Sequence, residues 1–103
     1  LELAGILAER IGDRELASNY YKKVLEIDQY NIKVYDRLFS ILLESNSVRD
    51  AEQMLVYYEQ FEKTYEQFSN NPIGKYHNSR EFERTEKIES YVVKANELIN
   101  KHN

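Results

Sequence analysis

The 103 residues include no cysteine and no tryptophan, and only one proline, three glycines and one methionine. Without cysteine there is no disulfide scaffold, no thiolate zinc site and no cysteine nucleophile. Long apolar runs are also missing, so neither a membrane-spanning helix nor a signal peptide is expected. Nor is there a basic block: 14 Lys and Arg stand against 18 Asp and Glu, for a formal net charge of −4. Phosphate neutralisation needs clustered cations, which argues against nucleic acid or anionic membrane as a direct partner. The three glycines are isolated and form no phosphate-cradling loop. A methionine is missing from position 1, where Leu1 stands, and the chain is expected to be a piece of a longer protein.

What remains is helix-forming. Few breakers are available, charged residues make up 31%, and nine tyrosines with four phenylalanines supply bulky apolar surface. The apolar positions Leu1, Leu3, Ala4, Leu7, Ala8 and Ile11 recur at helical spacing and predict a first helix over 1–11. Gly12 suits the left-handed residue that ends it, and Asp13 can cap a second helix over 14–27. The apolar stripe of that helix is Ala17, Tyr20, Tyr21, Val24 and Ile27. A third helix is predicted over 32–44, with Val34, Tyr35, Leu38, Ile41 and Leu42 inward. Asn46 or Ser47 can cap a long fourth helix ending near Ser69. On it Met54, Tyr58, Phe61, Tyr65 and Phe68 recur as a heptad-like seam. Asn70-Asn71-Pro72-Ile73-Gly74 opens a loop. Ser79 can cap a last helix with the stripe Phe82, Ile88, Tyr91, Val92, Ala95, Leu98 and Ile99. The expected class is all-α, about five helices with no strand pattern.

A shift of 34 residues aligns Leu1 with Tyr35, Ala4 with Leu38, Leu7 with Ile41 and Ala8 with Leu42. It also aligns Gly12 with Asn46, Ala17 with Ala51 and Tyr21 with Leu55. Paired helices at this period resemble tetratricopeptide repeats. Gly5 matches the small residue where the two helices of such a repeat approach closely. The second unit has Phe39 in that place, and a third unit at the same offset fails. The reading is therefore one helical-repeat domain of antiparallel pairs: repeat 1 over 1–31, repeat 2 over 32–69, a loop over 70–78 and a capping helix over 79–103.

The run Tyr20-Tyr21-Lys22-Lys23-Val24-Leu25-Glu26-Ile27-Asp28 is followed by Val34-Tyr35-Asp36-Arg37-Leu38, Asp50-Ala51-Glu52, Tyr57-Tyr58 and Asn71-Pro72. Together these resemble the bacterial transcriptional activator domain of antibiotic-regulatory-protein type regulators, over about residues 4–73. Gln29 and Asn46 depart from that family's usual proline and glycine. The resemblance implies a cytoplasmic, non-enzymatic module for protein interaction or oligomerisation. It would act on a neighbouring winged-helix domain and meet DNA only through that domain. The alternative within the helical-repeat class is an adaptor that binds a peptide or helix and has no role on DNA.

Catalytic constellations are thin. His77 falls in the predicted loop and His102 at the predicted end of the chain. His77 with Glu81 has i, i+4 spacing, but no further ligand converges on them, so no metal site is expected. Glu81, Glu83, Glu86 and Glu89, interleaved with Arg84 and Lys87, read as a solvated face. No cofactor and no catalytic residue are assigned. The concave face of stacked repeats is the expected partner surface. Its candidate residues are Glu2, Glu9, Tyr35, Asp36 and Arg37. Tyr57 joins Tyr30 and Tyr76 as a tyrosine near a turn or off the apolar stripe.

Overall fold

The computed structural model describes residues 1–70 and 86–102, with side chains over 1–67 and 87–102. Five α-helices follow in order: α1 (Glu2–Arg10), α2 (Arg14–Ile27), α3 (Ile32–Glu44), α4 (Val48–Asn70) and α5 (Glu86–His102). The fold is all-α, with no strand among the described residues. Consecutive helices pack on one another from α1 to α5, and α5 also packs on α3. The expected cap at Ser79, the loop residues from 71 onward and Phe82 lie outside the described residues, as do the side chains of Phe68 and Glu86.

Local chemistry sets each boundary. Gly12 takes φ of +83°, which costs a residue without Cβ little. Its N–H donates to the Glu9 carbonyl at 3.0 Å, and the Asp13 N–H reaches the Ala8 carbonyl at 3.0 Å. This pair of bonds is a Schellman closure, which satisfies carbonyls the helix end would leave open. Asp13 then accepts from the Leu16 N–H at 3.0 Å and caps α2. The end of α3 reaches the same result by other means. Asn46 takes φ of +53°, and its N–H donates to Leu43 at 3.3 Å. The Ser45 hydroxyl donates to the Leu42 carbonyl at 3.0 Å and accepts the Ser47 N–H at 3.3 Å. One serine thus replaces the longer Schellman bond. Ser47 in turn accepts from the Asp50 N–H at 3.4 Å at the start of α4. Asn31, unassigned by the sequence reading, caps α3 by accepting from Val34 at 3.3 Å.

The core runs through all five helices. Ala17, Tyr21, Val34, Tyr35, Leu38, Phe39, Ala51, Met54, Phe61, Ile88 and Ala95 are all essentially inaccessible. Gly5 lets α1 approach α2 so closely that a Cβ there would meet the Tyr21 ring at 2.5 Å. Phe39 occupies the corresponding place on α3, and its ring is wholly buried. It packs edge-on against Tyr91 of α5 at 6.1 Å and tilted against Tyr58 of α4 at 6.2 Å. A bulky ring 34 residues after Gly5 therefore provides the seat for α5.

The expected core is corrected on two helices. Leu1, Leu3, Leu7 and Ile11 are exposed, and α1 buries only Gly5 and Ala8. Ile27, at the last turn of α2, is also exposed. On the α4 seam Met54 and Phe61 are buried, and the half-buried Tyr58 and Tyr65 pack against the core.

Candidate functional site

An open groove of about 620 Å³ is lined by Glu2 and Glu9 of α1, by Lys33, Asp36, Arg37 and Ser40 of α3, and by Lys87 and Tyr91 of α5. The register of each helix explains the convergence. Lys33, Asp36, Arg37 and Ser40 follow i, i+3, i+4, i+7 and share one face of α3. Lys87 and Tyr91 are one turn apart on α5. Glu2 and Asp36 occupy equivalent positions at the 34-residue shift.

Two charge-assisted clusters tie the walls together. Arg37 donates from Nη1 to Glu9 Oε2 at 3.0 Å, joining α3 to α1. Asp36 accepts from Lys87 Nζ at 3.1 Å and from the Tyr91 hydroxyl at 2.9 Å, joining α3 to α5. The hydrogen bond to Asp36 raises the Lys87 ammonium above its ordinary pKa. Burial raises Tyr91, and its bond to the Asp36 carboxylate acts in the same direction. Glu2 accepts from Asn31 Nδ2 at 3.3 Å, which fixes the start of α3 beside α1. Lys33 makes no ion pair among the described residues. Three acidic and three basic side chains line the groove. It therefore has no strong potential of one sign and offers a mixed pattern of donors and acceptors.

Tyr21 lies beneath the Glu9–Arg37 pair. Its ring is wholly buried, and its hydroxyl is shielded from solvent without a well-formed hydrogen bond. Burial pushes this phenol up to about 12, the Glu9 carboxylate pushes the same way, and the Arg37 guanidinium opposes them.

Of the sequence candidates, Glu2, Glu9, Asp36 and Arg37 meet at this groove. Tyr35 does not. Its ring is buried against Phe61 at 5.2 Å, and its hydroxyl accepts from Gln60 Nε2 at 3.1 Å, so it belongs to the core. The correction follows from the helical period: Tyr35 precedes Asp36 by about 100° and faces α4. Tyr57 lies elsewhere, with Lys22 Nζ 5.9 Å from its ring centroid. Burial raises its hydroxyl above the ordinary phenol value, and Glu26 adds to the effect. Lys33, Ser40, Lys87 and Tyr91 were not assigned to the site from sequence, where Tyr91 read as core and Lys87 as part of a solvated face. The i, i+3, i+4, i+7 spacing around Asp36 and Arg37 was the available signal for the first two. Nothing local signals the α5 pair.

His102 ends α5, whereas His77, Tyr76, Glu81 and Glu83 lie outside the described residues. Among the described residues no group of three His, Asp or Glu side chains is placed to hold a metal ion. No helix there is long and apolar enough to cross a membrane. No protein-family model, curated protein or solved structure matches the sequence.

Proposed function

We propose that this chain is a non-catalytic protein-interaction and oligomerisation module, a tetratricopeptide-like stack whose groove takes a partner segment. The observation that carries this is the meeting of Glu2, Glu9, Asp36 and Arg37 in one open groove with walls from three helices. Stacked helices commonly use such a concave face for an extended peptide or an amphipathic helix. Lys33 is ready to receive a carboxylate, and the Glu9–Arg37 pair can exchange its internal bond for one to a partner. The resemblance to the bacterial transcriptional activator domain extends this reading: the module would sit in a cytoplasmic regulator and act on an attached DNA-binding domain.

Two experiments test these layers separately. Selection from a displayed library of random peptides should enrich ligands whose affinity falls tenfold or more in Arg37→Ala and Lys33→Ala. A selection that enriches nothing, or ligands indifferent to both changes, rejects the groove. The gene around this segment should encode a winged helix. Any other neighbour leaves the adaptor reading and removes the regulatory one.

A further inference from the structure

One bond beneath the groove is unmade. Among the described residues, the Tyr21 hydroxyl is the buried side-chain oxygen that lacks a hydrogen-bond partner. A buried hydroxyl in this state costs free energy until an acceptor reaches it. The ring cannot carry the hydroxyl to one. It is fully enclosed, and its edge lies against Gly5, where a Cβ would meet Cε1 at 2.5 Å and Cζ at 3.0 Å. The acceptor must therefore come to the hydroxyl.

Glu9 is placed to do so. It stands one turn after Gly5 on the same face of α1. Its carboxylate and the Arg37 guanidinium are the charged groups that act on the Tyr21 phenol. The carboxylate is held by Arg37, whose Nη1 donates to Oε2 at 3.0 Å, and it makes no hydrogen bond to the hydroxyl. Both members of the pair reach solvent, Arg37 at 42% and Glu9 at 26%, and a pair of this kind is weak enough to exchange. An incoming carboxylate can take over Arg37, which leaves Glu9 free to turn to Tyr21. Arg37 then keeps a charged acceptor, and the phenol gains one. A cation cannot take the place of Glu9, because a guanidinium carries donors only.

The position of Arg37 shows where such a carboxylate comes from. Lys33, Asp36, Arg37 and Ser40 follow one another along the α3 wall. The groove thus continues on both sides of Arg37, and a carboxylate that meets it midway belongs to a side chain of a passing segment. Lys33, one turn earlier and without an ion pair among the described residues, is placed for a second acidic side chain.

Resting on the groove reading above, we propose that the groove selects an acidic segment and that Tyr21 is a specificity-determining residue. An Asp or Glu side chain of the partner takes Arg37, and Glu9 turns to accept the Tyr21 hydroxyl.

The probe is an octapeptide of alternating Asp and Ala, acetylated and amidated so that only its side chains carry charge. The formal net charge of the chain is −4, so long-range attraction works against this ligand rather than for it. Titration calorimetry should show binding that falls tenfold or more in Arg37→Ala, and likewise when Asn replaces Asp in the peptide. Tyr21→Phe should weaken binding about fivefold. In a Glu9→Ala background the acceptor is gone, and Tyr21→Phe should change affinity by less than about twofold. The ζ-carbon resonance of Tyr21, assigned by its loss in Tyr21→Phe, should shift on peptide binding and shift the same way in Arg37→Ala without peptide. A peptide that binds through Arg37 yet ignores Tyr21→Phe overturns the exchange and leaves the groove reading intact. So does a dependence on Tyr21 that survives Glu9→Ala. Equal binding of the Asn peptide, or no binding of either, overturns the acidic partner, whereas a peptide library that enriches nothing rejects the groove itself.

Discussion

Gly5 and Tyr21 show how much one contact decides. Alanine at position 5 would gain about 1 kcal/mol of intrinsic helix propensity. Its Cβ would also meet the Tyr21 ring at 2.5 Å. That ring is enclosed on all sides, so either the two helices separate or the ring leaves its rotamer. Overpacking of this kind costs about 1–3 kcal/mol, which outweighs the propensity gain. Gly5→Ala is expected to be net destabilising by about 1 kcal/mol, read as a lower urea midpoint. The Tyr21 hydroxyl gives a pH-dependent test. Its pKa is raised from 10.0 to about 12 in the folded chain. Between these values the unfolded chain has lost a proton that the folded chain keeps, so stability falls as pH rises. The contribution is complete below about pH 10. The loss is on the order of 1 kcal/mol by about pH 11 and about 2 kcal/mol by about pH 12. Tyr21→Phe removes this loss. At neutral pH the variant should be at least as stable as the parent, because the deleted hydroxyl makes no well-formed hydrogen bond. Urea midpoints of both proteins at about pH 7 and about pH 11 check both statements.

At the scale of elements, helix ends were legible in the sequence because they depend on short-range chemistry. Gly12 and Asp13 end one helix and begin the next through bonds within about five residues, and Asn46 with Ser47 does the same. The apolar faces of α2 and α3 were largely legible as well. The face of α1 was not, since periodicity shows that residues share a side without showing whether anything lies against it. The stripe of α5 was legible, with Ile88, Tyr91 and Ala95 buried, but its seat on α3 was hidden. It depends on Phe39, Asp36 and Tyr91, which are far apart in sequence and carry no common local signal. Asp36 is the polar half of that joint. The Lys87 bond is largely exposed and contributes little. The Tyr91 bond is half-buried and charge-assisted. Asp36→Ala should therefore destabilise the fold by about 1–2 kcal/mol, chiefly through Tyr91. Amide exchange should accelerate about tenfold at the most protected sites of α5 and α2 alike. Acceleration confined to α5 would mean that this helix opens separately from the rest.

For the molecule as a whole, the question is whether α5 is a cap on an otherwise complete fold or part of its one core. Packing favours the second answer. Buried side chains form a continuous cluster from Ala8 of α1 to Ala95 of α5, and Ile88 is among its least accessible members. Tyr91 covers Phe39, Phe39 packs on Tyr35, and Tyr35 packs on Phe61. No polar layer interrupts this path, and Phe39 would face water if α5 were absent. The radius of gyration of 14.0 Å and extents of 42 × 31 × 19 Å describe a slab. In a shape this thin, every helix adjoins a boundary, so losing one neighbour exposes much of the next. Ile88→Ala removes three carbons from a closed site and should cost about 2–5 kcal/mol. With one core, the loss is global: near-ultraviolet signals from the tyrosines and far-ultraviolet signals from the helices should shift together to a single lower midpoint. If α5 is only a cap, the variant should unfold in two steps, with the far-ultraviolet transition of α1 through α4 staying at the parent's midpoint. The joint shift is the expected result, because Phe39 gives α3 and α5 a common interior.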